Sequence, residues 1–457
     1  MKPRRYLLLI FTVFTAYFNA FSQQPAWKVF NTSNSGLPTN NINCVAIDKD
    51  GIKWIGTDFG LVRYDDYSWQ VFDDSNSPLI RNGRIIISSI SIDSLNNKWI
   101  CTTQGLYCFD GANWKSFNTQ NSRIPSDNVN YVLIGKLNKK LICTSSGKGP
   151  GGFAIFNDTS WTVFNTSNKK IPSDVVNSAA IDKNGNIWIA MEYLHVEFDS
   201  LIRGGIGKYD GNNWTFYNSG NSGLISLSPK TITFDGANQL WTAENNLEIY
   251  DGKNWRSYTP NKKSLPYQDV NSINFDYSGT MWISMGSPFY DIKGGSMVKY
   301  DGINFTVYDT ANSPLPLGYV NSIFTDPNNN KWISVKGYVD RTNWKEIGGG
   351  LAVFNENGVV NVNSATSLES GSFILNQNYP NPFNPSTRIT YSLPEAQNVN
   401  LTVYDMLGKE VSTLVSEYKP AGQHSVQFNA GSLPSGIYVY IIQAGEFRSS
   451  RKLLLLK

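Results

Sequence analysis

Read as apolar and polar positions, the chain is a succession of short alternating stretches cut by turn residues. One runs Asn43-Cys44-Val45-Ala46-Ile47-Asp48, the next Lys53-Trp54-Ile55-Gly56-Thr57. Then come Gly60-Leu61-Val62-Arg63-Tyr64-Asp65 and Trp69-Gln70-Val71-Phe72. Apolar residues at every second place line one face, the period of a half-buried strand. Dipeptides such as Asp50-Gly51 between them suit tight hairpins. Four antiparallel strands in succession make one blade of a β-propeller.

The unit recurs seven times. The second-strand motif falls at Trp54, Trp99, Leu141, Trp188, Trp241, Trp282 and Trp332. The third strand ends on Tyr64, Phe109, Phe156, Tyr209, Tyr250, Tyr300 and Phe354. Five residues after each comes Trp69, Trp114, Trp161, Trp214, Trp255, Phe305 and finally Val359. The last unit thus lacks its aromatic, but Trp27-Lys28-Val29-Phe30 stands spare before the first unit. The pattern predicts that this N-terminal strand completes blade seven, with residues 26–31 pairing with 349–355, and removes the open edges. Twelve of the thirteen Trp lie in repeat slots, which reads them as packing between blades.

The blades resemble the two-component-regulator propeller repeat. The carrying residues are Asp174-Val175-Val176-Asn177-Ser178-Ala179-Ala180-Ile181-Asp182-Lys183-Asn184-Gly185-Asn186-Ile187-Trp188-Ile189-Ala190 and then Gly205. The resemblance covers residues 26–358 and implies the fold. In that family such propellers form periplasmic sensor halves of hybrid histidine kinases. No membrane span or kinase follows in this sequence, so signalling is not carried over.

After Asn363 the pattern changes. Residues 364–372 are rich in Ser, Thr and Gly and read as a linker. Residues 373–457 give short strands at Arg388-Ile389-Thr390-Tyr391, 399–404, 424–428 and 437–442, which suit a small Ig-like β-sandwich. This region resembles the type A sorting domain of type IX secretion. The match rests on Asn378-Tyr379-Pro380-Asn381-Pro382-Phe383-Asn384-Pro385-Ser386-Thr387, on Val403-Tyr404-Asp405-Met406-Leu407-Gly408, and on Leu433-Pro434-Ser435-Gly436-Ile437-Tyr438. The terminal Arg451-Lys452-Leu453-Leu454-Leu455-Leu456-Lys457 also fits. The resemblance implies the type IX secretion machinery as partner of residues 373–457, passage across the outer membrane, and removal of this domain. The mature protein is then released or fixed to the cell surface.

Residues 1–22 read as a signal peptide: Lys2, Arg4 and Arg5, an apolar run from Tyr6 to Phe18, and Ala20-Phe21-Ser22 before the cut. The run is shorter than a membrane span needs. The expected organisation is all-β: signal 1–22, seven-bladed propeller 23–363, linker 364–372, sandwich 373–457. The signal holds three of the 39 basic residues and none of the 36 acidic ones, so the remainder is formally neutral. No basic patch is left for nucleic acid.

Chemistry is sparse. Only His195 and His424 are present, and no nucleophile elbow, zinc signature or phosphate loop appears, so no cofactor, metal or catalytic residue is assigned. Asp48-Lys49-Asp50-Gly51 and Asp182-Lys183-Asn184-Gly185 have the look of a calcium loop without its full spacing and read as tight turns. Cys44, Cys101 and Cys143 fall in slots that other units fill with Gly, Ala or Ser. Cys108 leaves open a Cys101–Cys108 bridge.

The departures from the repeat lie between second and third strands. Blades one, two and five have only a few residues there. Blade four carries Glu192, Tyr193 and His195. Blade six carries Phe289 and Tyr290, and blade seven carries Tyr338, Arg341 and Trp344. Alternate hairpins of a blade share a side, so these loops should crowd one face. Aromatics among charged groups there suit a glycan or protein ligand. A second candidate is Asn43, Asn130, Asn177, Asn271 and Asn321 at the starts of the inner strands, able to ring the channel mouth or to satisfy backbone groups. The chief reading is a secreted or cell-surface binding module. One alternative is a polysaccharide lyase or glycosidase using Tyr193, His195 and Glu192 or Arg341. The other is a structural or adhesive protein without a small ligand.

Overall fold

The computed structural model describes residues 26–359 and 374–456, apart from 80–84, 193, 197–199, 203, 259–264, 266–268, 288–293, 341–344, 376–377, 379–382, 421 and 446. The proposed signal peptide lies outside the described residues. Seven four-stranded antiparallel sheets follow one another along the chain. The first is built from Ile42–Ile47, Lys53–Thr57, Gly60–Tyr64 and Trp69–Phe72. The seventh is Tyr319–Thr325, Lys331–Lys336, Gly350–Phe354 and, from the N-terminus, Trp27–Phe30.

Trp27 pairs with Phe354, Lys28 with Val353, Val29 with Ala352 and Phe30 with Leu351. The ring is therefore closed by strand exchange, as the spare strand predicted. The aromatic repeat explains why. In each blade the fourth-strand aromatic lies against the end of the third strand: Tyr64–Trp69 at 4.0 Å, Phe109–Trp114 at 4.4 Å, Phe156–Trp161 at 4.3 Å, Tyr300–Phe305 at 4.4 Å. In blade seven Phe354 meets Trp27 at 4.5 Å. Val359, where the aromatic was missing, is buried beside Phe30 and Tyr64.

A second repeated device holds the blades together. The Asp before each first-to-second-strand turn accepts the indole N–H of the Trp six residues on: Asp48–Trp54 2.9 Å, Asp93–Trp99 3.0 Å, Asp182–Trp188 3.1 Å, Asp235–Trp241 3.0 Å, Asp276–Trp282 2.9 Å and Asp326–Trp332 3.0 Å. The other carboxylate oxygen takes turn amides, for example Asp50 and Ile52 N–H on Asp48. This is the turn that imitates a calcium loop. Blade three has Gly135 and Leu141 in these places. Lysines starting the next blade's second strand cover four of these indoles: Lys98 over Trp54, Lys140 over Trp99, Lys331 over Trp282 and Lys53 over Trp332, at 4.7–5.3 Å. At blades four, five and six the same place holds Ile187, Leu240 and Met281.

Beyond the ring, Ile374–Leu375, Ser386–Leu393 and Gly422–Asn429 form one sheet; Glu410–Lys419, Gln397–Tyr404, Gly436–Ala444 and Phe447–Leu455 form another. Ile389 and Tyr391 of the first share a core with Leu401, Tyr440 and Leu453 of the second, which makes the pair a sandwich. No helix among the described residues is long and apolar enough to cross a membrane.

Candidate functional site

Antiparallel order fixes two faces. Loops between second and third strands, and the links from one blade to the next, emerge on one, here the upper face. First-to-second turns and third-to-fourth hairpins emerge on the lower. Two upper loops fold into hairpins of their own: Leu194–Val196 with Ser200–Ile202 in blade four, and Tyr338–Asp340 with Lys345–Ile347 in blade seven. His195 pairs with Leu201, and Tyr338 with Ile347, through the backbone. Gly337, Gly348 and Gly349 seat the blade-seven hairpin, because a Cβ on Gly348 would lie 2.0 Å from the Leu317 carbonyl oxygen. Glu192 is exposed, and its N–H donates to Val175 O (2.9 Å). Tyr193, Phe289, Tyr290, Arg341 and Trp344 lie outside the described residues.

The five candidate Asn occupy one structural position. Each is the bulged residue of its first strand, where the register shifts by one: between Ile42 and Cys44, Val129 and Tyr131, Val176 and Ser178, Val270 and Ser272, and Val320 and Ser322. The extra residue turns its side chain to the neighbouring blade. Asn130 Nδ2 donates to Val176 O (2.8 Å), Asn177 to Pro229 O (3.1 Å), Asn271 to Val320 O (2.9 Å) and Asn321 to Asn43 O (2.6 Å). Two residues that the reading of the sequence passed over extend the belt. Ser88 donates to Val129 O (2.6 Å), and Lys230 pairs with Asp269 (2.9 Å). Their place in the repeat was the signal that could have found them.

Asn43 breaks the pattern. Its amide donates to Asp58 of its own blade (2.9 Å), and Lys336 of blade seven reaches the same oxygen (3.0 Å). Asp58 is fully buried. Tyr319 lies close by, 6.2 Å ring to ring from Tyr338. Burial, then the Asp58 charge and Tyr338, push its hydroxyl up to about 12, so it stays a neutral donor. The structure thus brings Asn43, Asp58, Lys336, Tyr319 and Tyr338 together where the ring closes. Asp58, Lys336 and Tyr319 were not among the sequence candidates.

All four Cys are buried free thiols, so the Cys101–Cys108 bridge is not formed. Cys101 faces Leu106 and Cys108 faces Trp99 across the strand pair, which leaves the two sulfurs on a diagonal. Burial pushes the Cys44 thiol up to about 12 and Cys108 to about 11. A Cβ on Gly56 would lie 2.5 Å from Cys44 Sγ, which is why this slot takes small residues. Among the described residues no His, Cys, Asp and Glu cluster could hold a metal ion.

Residues 377–456 match the secretion system C-terminal sorting domain, and residues 36–59 and 170–193 match the two component regulator propeller. The chain carries regulator-type propeller repeats and a C-terminal sorting domain. The sorting domain marks the propeller for type IX secretion, to the cell surface or the extracellular space. Among solved structures the chain is similar to PorZ of Porphyromonas gingivalis, titled an essential bacterial surface component of the type-IX secretion system. The two are 15% identical with TM-score 0.53, over 94% of this chain and 61% of PorZ. The chain therefore spans about three fifths of PorZ, and the likeness is one of fold. It is also similar to YCF48 bound to D1 peptide (12% identity, TM-score 0.48, 72% of this chain and 97% of that one). A third is the extracellular domain of the putative hybrid two component system BT3049 from B. thetaiotaomicron (15%, TM-score 0.29, 92% and 73%). No curated protein matches the chain by sequence.

Topology also says where the sorting domain departs. The third strand of blade seven, Gly350–Phe354, runs from the upper face to the lower, so the chain leaves the ring below. Thr390 of the sandwich donates to Tyr67, in a lower-face hairpin of blade one, at 2.7 Å.

Proposed function

We propose that this exported propeller, residues 23–363, is a binding module that recognises a glycan or a protein on its upper face. Residues 364–372 serve as linker and 373–457 as the removable export domain. One observation carries the reading. Two of the blades that depart from the minimal repeat, four and seven, spend the extra residues on hairpins of the upper face, while the chain to the sorting domain leaves from the lower one. Rigid strands below and variable loops above is the arrangement of a recognition surface. Tyr338, Arg341 and Trp344 from blade seven, Phe289 and Tyr290 from blade six, and Glu192, Tyr193 and His195 from blade four supply the contacts. The belt amides of Asn43, Asn130, Asn177, Asn271 and Asn321 act by fixing the inner strands beneath them.

The test is a thermal-shift screen of residues 23–363 against polysaccharides, oligosaccharides and cell-wall fragments, with Trp344→Ala alongside. A ligand at 100 times its dissociation constant stabilises a reversibly unfolding protein by about 2.7 kcal/mol. A shift that disappears in Trp344→Ala supports the upper-face module. A shift of equal size in Trp344→Ala removes blade seven from the site, and silence across the screen favours the structural or adhesive reading.

A further inference from the structure

On the lower face, blade three makes its first-to-second-strand connection by a two-residue turn, closed by Lys139 N–H to Lys136 O (3.3 Å), whose first central place holds a leucine. Every first-to-second-strand turn puts one residue in the left-handed region: Gly51, Asn96, Asn138, Gly185, Asn238, Gly279 and Asn329 in blades one to seven. These are the residue types that tolerate it. Blade three alone adds a second, Leu137, at φ 55 and ψ 31. A branched apolar side chain is a poor occupant of that conformation. Leu137 gains nothing from burial either, since it is 90% exposed. In blade two the equivalent place holds Leu95, 74% exposed. The two turns are tied together: Ser94 N–H donates to Asn138 Oδ1 (3.4 Å), and Asn138 Nδ2 to Asp93 (3.3 Å). Two exposed aliphatic side chains therefore stand on turns that are tied to each other.

Lysines surround them. Lys136 and Lys139 flank Leu137 in the same turn and are exposed. Lys136 Nζ lies 3.9 Å from where a Cβ on Gly185 would stand, which carries the charge to the blade-four turn and Lys183. On the other side Lys49 of blade one reaches over the blade-two turn to Ser94 O. Asp50 is the exposed carboxylate among these turns, and it accepts Asn96 Nδ2 (3.1 Å). Further out, the lower hairpins carry Asp110, Asp158 and Asp210, so the positive character is confined to the inner turns.

We propose that the inner turns of blades one to four seat the propeller on an anionic lipid surface, with Leu95 and Leu137 entering the interface and the lysines meeting headgroup phosphates. Protruding single aliphatic side chains need no complementary pocket in a soft interface, whereas a folded protein partner would have to supply one. Basic residues beside such tips add attraction to anionic lipid within a Debye length. Strain held at an exposed position marks function more readily than stability. The seat lies on the face from which the chain runs to its export domain and leaves the upper face outward.

The test is co-sedimentation of the full chain with vesicles of phosphatidylcholine alone or of equal parts phosphatidylcholine and phosphatidylglycerol. The native protein is expected to pellet with the mixed vesicles and to be released by salt. Leu137→Gly relieves the backbone and removes the tip, so it is expected to melt no lower than the native protein yet bind about tenfold more weakly. Lys136→Gln with Lys139→Gln is expected to remove the salt-sensitive part. Native protein that ignores both vesicles, or Leu137→Gly that binds as well as native, overturns the proposal. Preference for soluble polyglutamate over vesicles also overturns it and assigns the face to an acidic partner. Leu137→Gly should leave upper-face ligand binding intact, so this proposal and the recognition reading fail separately.

Discussion

Replacing Asp48 tests whether the blades are held by buried polar clasps. Its carboxylate accepts Asp50 and Ile52 N–H on one oxygen (3.0 and 3.1 Å) and Trp54 Nε1 on the other (2.9 Å), where Lys98 of blade two also stands at 3.3 Å. Both side chains are buried. Asp48→Asn puts an NH2 against the indole N–H and leaves the Lys98 ammonium without its counter-charge. Removing one member of a buried pair costs about 3–5 kcal/mol. Lys98→Met is a different matter. Asp48 then keeps three N–H donors, the state of Asp235 in blade five, whose neighbouring blade carries Met281 in the lysine's place. Replacing the lysine alone should cost less than about 1.5 kcal/mol and can stabilise. The double variant Asp48→Asn, Lys98→Met should recover about 1.5–3 kcal/mol relative to Asp48→Asn. Urea unfolding followed by Trp fluorescence measures all four. The clasp reasoning fails if Lys98→Met costs as much as Asp48→Asn, or if the double variant recovers nothing.

Three further outcomes follow from the same geometry. Deleting residues 26–31 strips blade seven of its outer strand, so size-exclusion chromatography should find dimers or larger species formed through the bare edge; a monomer as stable as the parent would refute closure by exchange. Burial tends to raise the carboxyls of Asp93, Asp182 and Asp276, but the indole and turn donors outweigh it and hold each below the ordinary 3.8. Their stabilisation is therefore complete above 3.8 and is lost as pH falls below it, so unfolding free energy should drop there; a flat profile below 3.8 contradicts this. The four thiols should resist Ellman's reagent at pH 8 until denaturant is added, and rapid labelling of the native protein would show that they are not buried.

The ring was legible because its elements repeat. Trp at the second strand, an aromatic closing the third and another five residues later define seven blades, and the shortfall at Val359 pointed to Trp27. The Asp six residues before each Trp is equally regular, yet its bond to the indole needed the turn geometry to be seen. The belt was half legible. Five Asn stood out by type, whereas Ser88, at the same bulge, and Lys230, just before the first strand of blade five, reach the neighbouring blade with other chemistry. Asp58 and Lys336 were illegible for another reason: they are 278 residues apart and meet where the first and last blades touch. Leu137 reads as an ordinary loop residue until its backbone angles are known.

Ligand recognition by the upper face is decided by titration calorimetry of a ligand found in the screen. Native protein would be compared with a variant in which both hairpins, 192–203 and 337–348, are shortened to the two-residue Asp58-Phe59 connection of blade one. Recognition through these hairpins requires an intact ring, by unchanged near-ultraviolet circular dichroism, and no heat of binding. Full binding by the shortened protein would contradict it and move recognition to another surface.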